Sequence, residues 1–506
     1  MIQDLPILMI REPPVAFLSD PAYNEESIMD EKRVPWMRKP PVWKRIPAVL
    51  ALMMMLSPVL PAAGEEIIMP TCTQDGYALM RHPDGTVTAR RNAPAPGHSF
   101  GPWTFDLETG EGVHVCLVCG AEERVYVREE GLPRLFLTGL AGEGTRVEAV
   151  LAGSTGDFAC QADLAGAEEI GNGSLNGIFT LRLLSGGAGD QPLEHTFPGW
   201  QTGDQYTLTP CSGDPSAVRS LAVASLWRQA AATRTSLPER LQMLPLLGGT
   251  DGFPVTLWLN GSFSGLYILG PRFSGSLFGM YRDENASVAV SPARLREMGL
   301  SVGDTSEAGW TVVWTGSGSG QPAGSRLNQM DRYVKESDDP TFFHTLSRYL
   351  DVDGAVDTLL LSAALGLTGD EDPVMLYYGD QWTPVLCGTE NAFGATADGF
   401  LNPSERLPRR TQNGWTSGTG SLLWDRLLQV FEERVIERYR ELRQTVLSED
   451  HILSVMDGQM EGISPAAYAL NDLLTPGRPS AADERARIAA YLRERLPLLD
   501  AAFGGN

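Results

Sequence analysis

Hydrophobic patterning changes character part-way along the chain, and that change limits the fold more than any single motif does. From Leu132 to about Leu269 apolar residues come in short strand-like runs, among them Leu135-Phe136-Leu137, Val147–Leu151 and Ile178–Leu184. Beyond that point they recur at three- and four-residue steps through Thr341–Tyr349, Val352–Leu365, Ser421–Val446 and Asp483–Asp500, the spacing of amphipathic helices. In Ser421–Val446, Leu423, Leu427, Phe431, Val435 and Leu442 fall on one side, which predicts one long helix. A strand-rich part followed by a helical part predicts an α+β chain. A single helix, Ser216–Ala232, is expected inside the strand-rich part. Val255–Leu259 and Phe263–Leu269 flank Asn260-Gly261, a hairpin signal because both turn residues accept positive φ. A second tight hairpin is expected from Met375–Tyr378, the turn Gly379-Asp380 and Trp382–Cys387, while the Gly/Ser-rich Ser274–Gly324 reads as an insertion with loops of its own.

Residues 1–64 read as a leader. Arg38, Lys39, Lys44 and Arg45 precede the apolar run Ile46–Leu60, which ends in Pro61-Ala62-Ala63-Gly64. Basic, apolar and small-residue stretches in that order make a secretory signal; an uncleaved anchor is the competing reading. The run is short for a membrane span, which needs about 20 apolar residues. The expectation is an exported protein, secreted or surface-associated, with no integral membrane region once the signal is removed. With 40 basic residues against 63 acidic ones and a net charge of −23, the chain lacks the basic surface a nucleic-acid partner requires.

Residues 65–130 form a small Cys/His module holding Cys72, His82, His98, His114, Cys116 and Cys119. Its centre, Cys116-Leu117-Val118-Cys119-Gly120, is a C-x-x-C knuckle whose glycine permits the tight turn that aims two thiolates at one metal. Cys72 and His98 complete a tetrahedral set, giving a structural zinc site; the alternative in an exported protein is a disulfide within the same cysteines. A closed four-ligand set has no open coordination position for hydrolysis. Cys160, Cys211 and Cys387 are read as core residues.

Leu132–Leu137, Gly171–Ser174, Asp214–Arg219, Leu259–Tyr267, Tyr349–Asp353, and Trp424–Leu428 with Arg438–Arg443, taken in that order along the chain, together resemble the spore coat protein H (CotH) kinase-like family. Leu132-Pro133-Arg134-Leu135-Phe136-Leu137 resembles its opening strand, and Gly171-Asn172-Gly173-Ser174 its Arg-Gly-Asn-Ser loop. Asp214-Pro215-Ser216-Ala217-Val218-Arg219 resembles its Asp-x-Ser-x-x-Arg helix start. Leu259-Asn260-Gly261-Ser262-Phe263-Ser264-Gly265-Leu266-Tyr267 resembles its most diagnostic hairpin. Tyr349-Leu350-Asp351-Val352-Asp353 is similar to a family helix start, and Trp424–Leu428 with Arg438–Arg443 to its final helical region. The resemblance implies a two-lobed protein-kinase-like fold after the Cys/His module, with a strand-rich N-lobe at 131–272 and a helical C-lobe at 273–506. In active members it implies phosphoryl transfer from ATP-Mg to serines of coat or surface proteins.

On that resemblance Asp370 or Asp372 is the candidate catalytic base, and Glu390 the candidate Mg²⁺ ligand. Asn172, Ser174, Arg182, Asp214 and Arg219 are the candidate nucleotide-binding residues. Each reading has a structural alternative: Asp370-Glu371-Asp372 as a solvated turn, Glu390 as the cap of a turn, and Asp214 as the N-cap of the following helix with Arg219 as its ion-pair partner. The departures fall on the charged positions. The leading Arg of the Gly-Asn-Ser loop is Ile170, and the strand lysine expected next is absent from Gly177–Arg182. Lys335 is the only lysine beyond the leader, and Arg182, a planar fork and not a point charge, is the available substitute. The glutamate expected after the diagnostic hairpin is Pro271, the Asp-x-Asp appears as Gly388-Thr389-Glu390, and the metal-holding Asn is replaced near Val374. Kinase catalysis is almost wholly positioning and electrostatics. The chain therefore reads as a degenerate kinase that binds or assembles a surface or spore-coat partner, with an active exported kinase as the alternative. The sequence contains no Ser-His-Asp arrangement, Walker loop or dinucleotide fingerprint.

Overall fold

A computed structural model describes residues 65–504, apart from 102–103, 107–110, 127–131, 140–145, 166–167, 172–173, 177, 187–189, 281–287, 293–309, 316–320, 368–372, 379–380, 387–388, 390, 397–398, 413 and 476. These residues fall into two compact units: 65–69 with 75–94, and 70–74 with 95–504. The smaller unit is an antiparallel sheet of β1 (Glu65–Ile68), β2 (Gly76–Arg81) and β3 (Val87–Ala93), in that order. The β2–β3 turn is closed by the Asp84 carboxylate, which accepts from the Thr86 amide (2.9 Å), and by Gly85 at φ 85°.

The larger unit begins with a three-stranded sheet, β4 (Thr104–Asp106), β5 (Glu111–Val115) and β6 (Glu122–Tyr126). A barrel follows, built from β7 (Arg134–Thr138), β8 (Arg146–Ala152), β9 (Phe158–Ala165), β12 (Phe179–Leu184), β13 (Gln205–Pro210), β14 (Phe253–Leu259) and β15 (Ser262–Pro271). A small hairpin, β10 (Glu168–Gly171) and β11 (Ser174–Asn176), lies between β9 and β12. Strand order is β12-β13-β15-β14-β7-β8-β9, and β9 pairs back onto β12 to close the ring. Only the β7–β14 pairing is parallel within it. Closure removes the exposed edges that an open sheet would leave.

Alternation fixes the register here. Leu135 and Leu137 on β7, and Val147, Ala149 and Leu151 on β8, point into the core while their neighbours are more exposed. A one-residue slip would turn every one of them outward. β15 is buried almost along its whole length, because a C-terminal helix covers its other face: Leu470 packs with Trp258 and Phe263, and the Asn471 side chain accepts from the Leu266 amide (3.0 Å). The β14–β15 turn is the expected one, with Asn260 at φ 47° and Gly261 at φ 84°. The Asn260 side chain also accepts from the Gly139 amide at 2.9 Å, so the turn residue additionally anchors the loop after β7.

The rest of the unit is mainly helical: α1 (Arg219–Ala232), α2 (Gln321–Glu336), α3 (Asp339–Thr345), α4 (Val352–Leu365), α5 (Leu422–Val430), α6 (Glu432–Arg443), α7 (Glu449–Met460), α8 (Pro465–Leu474) and α9 (Ala481–Phe503). The chain is thus α+β, as its patterning predicts. The expected long helix over 421–446 is two helices, divided at Phe431 (φ −110°, ψ 27°). The break coincides with burial of Phe431 against Phe342 and Phe343, and Glu432 and Glu433 then restart the helix where acidic side chains favour an N-terminus. The two strands expected around 375–387 also pair, as β18 (Val374–Tyr377) with β19 (Trp382–Val385), while the expected turn Gly379-Asp380 lies outside the described residues. The pair does not stand alone. The segment read as an insertion supplies β16 (Val288–Pro292) and β17 (Trp310–Thr315), which join it in a four-stranded sheet ordered β17-β16-β18-β19.

Candidate functional site

Asp214 and Arg219 form the centre of a buried polar node. Asp214 takes Ser216 through Oδ1, from its amide (3.0 Å) and its hydroxyl (2.6 Å). Its Oδ2 accepts from the Arg219 amide at 2.9 Å. The carboxylate therefore caps α1 at its first residue, although the helix begins at Arg219 and not at Ser216 as the sequence suggests. The intervening Ala217 sits at φ 57°, a left-handed conformation that a helix cannot include. Tyr468 on α8 closes the same turn by donating to the Ser216 carbonyl (2.7 Å).

The Arg219 guanidinium is 2% exposed as a side chain and is spent on protein partners. Nε donates to Asp214 Oδ1 (3.1 Å), Nη1 to the Ala392 carbonyl (2.8 Å), and Nη2 pairs with Glu484 on α9. Glu484 is itself buried and also pairs with Arg487 at 3.2 Å. Arg219 thus joins the start of α1, the loop that holds Ala392, and the start of α9.

That loop is tightly held. Phe393 is fully buried at φ 61°, and its amide donates to the Leu365 carbonyl (2.6 Å) at the end of α4. Gly394 follows at φ 75°, donating to the Gly366 carbonyl (3.2 Å). Tyr491 of α9 packs against both glycines so closely that a Cβ on either would strike its ring.

A second node lies at the C-terminal end of α1. Asp357 on α4 has no exposed side-chain surface and accepts from Arg234 Nε (2.7 Å) and Arg438 Nε (2.7 Å). Asp351 caps α4 by accepting from the Gly354 amide (3.0 Å), and Asp353 pairs with Arg434 and Ser236. The sequence motifs around Asp351-Val352-Asp353 and Arg438 are accounted for by these contacts.

Arg182 is on the outward side of β12, 44% exposed, with Nε 3.3 Å from Asp204 Oδ2. Ser174 opens β11, opposite Gly171. Asn172, Asp370, Asp372 and Glu390 lie outside the described residues, as does Cys387. Cys211 is buried and Cys160 half-buried, in line with a core role. Glu484 gave no signal in the sequence: in the first turn of a capped helix an acid is expected on electrostatic grounds alone, and only packing reveals that it is inside. A cavity of about 350 Å³ is lined by Asp450, Asp457, Glu461 and Arg485 among others, and by none of the residues singled out from the sequence.

The Cys/His set is brought together. Cys72, His98, Cys116 and Cys119 place one ligand atom each within 4.8 Å of all the others. Cys72 Sγ is 3.8 Å from Cys116 Sγ, and Cys119 Sγ is 3.3 Å from His98 Nδ1. His114 and His82 are excluded: His114 stacks on Phe100 and bonds Glu123 (2.9 Å), and His82 meets Thr88 (3.0 Å). Burial and the neighbouring thiols push the Cys72 thiol up to about 11. Cys116 is desolvated too, yet the amides of Cys119 and Val118 hold it down to about 5.

The family model described as CotH kinase protein matches residues 179–496, well over half of the chain, and the protein belongs to that family. The match begins on β12, so it takes in the Asp214–Arg219 segment, the 259–267 hairpin and both buried nodes. A search of the curated proteins gives no match.

Proposed function

We propose that this protein is an exported, kinase-like member of the CotH family that has lost efficient phosphoryl transfer and acts as a binding or assembly protein at a cell or spore surface. Family membership supplies the kinase relationship. The seven-strand barrel, followed by a largely helical remainder, supports a two-lobed reading. The observation that carries the loss of transfer is the commitment of Arg219: its donors meet Asp214, Ala392 and Glu484 inside the protein. A triphosphate needs several fixed cationic donors around it. Arg182 offers an exposed guanidinium held by Asp204, and Lys335 is paired with Asp331 at 3.2 Å on an exposed helix face. Export rests on the leader's basic, apolar and small-residue order. No helix among the described residues is long and apolar enough to cross a membrane.

The test is nucleotide binding and transfer by the full chain. ATP with Mg²⁺ is expected to leave the melting temperature essentially unchanged, and labelled phosphate should not pass to a serine-rich acceptor. Transfer above background, abolished in Asp370→Ala, would establish the active kinase instead.

A further inference from the structure

We propose that Cys72, His98, Cys116 and Cys119 bind one structural zinc ion through three thiolates and one imidazole. The inference is independent of the kinase-like body and of its catalytic state.

The geometry is already close to that of the ion's shell. Zinc bonds of about 2.3 Å to sulfur and about 2.0–2.1 Å to nitrogen, arranged tetrahedrally, set sulfurs about 3.8 Å apart and a sulfur–nitrogen pair about 3.5 Å apart. The observed Cys72–Cys116 separation is 3.8 Å and the Cys119–His98 separation 3.3 Å. No ligand separation exceeds 4.8 Å, so the set closes to tetrahedral distances with about 1 Å or less of side-chain movement. A disulfide needs sulfurs about 2.05 Å apart, far inside the 3.8 Å found.

The backbone is built around the same point. Cys116 and Cys119 belong to a knuckle in which the Gly120 amide donates to the Cys116 carbonyl (2.9 Å) and the Cys116 amide to the Ala121 carbonyl (2.8 Å). Gly120 turns the chain at φ 72°, a conformation favouring glycine. His98 is fixed by the isolated β-bridge between Phe100 and Cys116 beside the knuckle, where Leu117 donates to the Ser99 carbonyl (2.8 Å) and Gly101 to the Val115 carbonyl (2.9 Å). Cys72 is held by its carbonyl, which accepts from the Gly97 amide (3.1 Å). Among the six Cys/His residues of this region the fold converges four, from three separate segments, and gives the other two different partners. Three soft thiolates and an imidazole in a tetrahedral set select zinc among common divalent ions. With all four positions filled by protein, the ion holds the segments together and has no vacancy for a substrate.

Purified full-length protein should contain about one zinc per chain by elemental mass spectrometry. Thiol modification should release it in step with loss of the three thiolates. Cobalt exchanged into the site should show thiolate-to-metal charge transfer and the visible bands of a tetrahedral ion. Cys119→Ser should lower zinc content several-fold, whereas His98→Cys, which preserves a four-ligand set, should retain it even if Cys119→Ser destabilises the module. Protein without zinc or carrying iron, or a disulfide among Cys72, Cys116 and Cys119 in non-reducing peptide mapping, would overturn the proposal.

Discussion

Arg219→Leu removes the hub that joins α1, the Ala392 loop and α9, and its effect separates an architectural arginine from a phosphate ligand. The side chain is 2% exposed and faces two carboxylates, Asp214 and Glu484. Deleting one partner of a buried ion pair destabilises by about 3–5 kcal/mol, because the remaining charge is left uncompensated. Here neither carboxylate is stripped completely. Asp214 keeps Ser216 and the residue-219 amide, and Glu484 keeps Arg487 at 3.2 Å. The lower end of that range, about 3 kcal/mol, is therefore expected, a shift of roughly 150-fold in the folding equilibrium. Urea unfolding followed by intrinsic fluorescence reads it as a lowered midpoint at constant slope. The double variant Arg219→Leu/Glu484→Leu should regain about 1 kcal/mol or more, since an apolar pair avoids the stranded charge. A single-variant loss below about 1 kcal/mol, accompanied by weaker nucleotide binding, would refute the architectural account and return Arg219 to the candidate ligands.

Gly394→Ala should destabilise by about 1–3 kcal/mol, because the new Cβ meets the Tyr491 ring and the residue holds φ 75°. Gly420→Ala, at φ 78° with open space around it, should show only the backbone part, about 1 kcal/mol; equal losses in the two variants would argue against the Tyr491 clash. Burial raises the Asp351 carboxyl above its ordinary 3.8, with Arg234 opposing. Its folded form then holds a proton more tightly than the unfolded chain, so its contribution is fullest below that value and is lost as pH rises through the folded pKa. The stability of the natural protein minus that of Asp351→Asn, which retains an Asx cap, should accordingly fall from pH 3.5 towards pH 7 in urea titrations; a rising difference would contradict the assignment.

Local rules determined much of this protein without reference to its tertiary structure. The switch from strand-like runs to helical steps foretold an α+β chain, since burial of one face imposes a period of 2 or 3.6 on any sequence. Asn260-Gly261 specified its hairpin because few residues accept two successive positive φ angles. The C-x-x-C-Gly knuckle, with Cys72 and His98 as its companions, was legible because few side chains ligate soft metals. What was not legible depended on where distant segments meet. Barrel closure requires β7 to pair in parallel with β14 and β9 to return to β12, and no local pattern encodes such long-range partners. The division at Phe431 coincides with aromatic packing against Phe342 and Phe343, far away in sequence, and the helical period alone does not show it. Arg219, a candidate phosphate ligand by resemblance and a candidate partner of Asp214 by proximity, is an internal brace because Glu484, 265 residues away along the chain, is buried against it as well. A charge's role follows from its dielectric surroundings and its partners, and those exist only once the chain has folded.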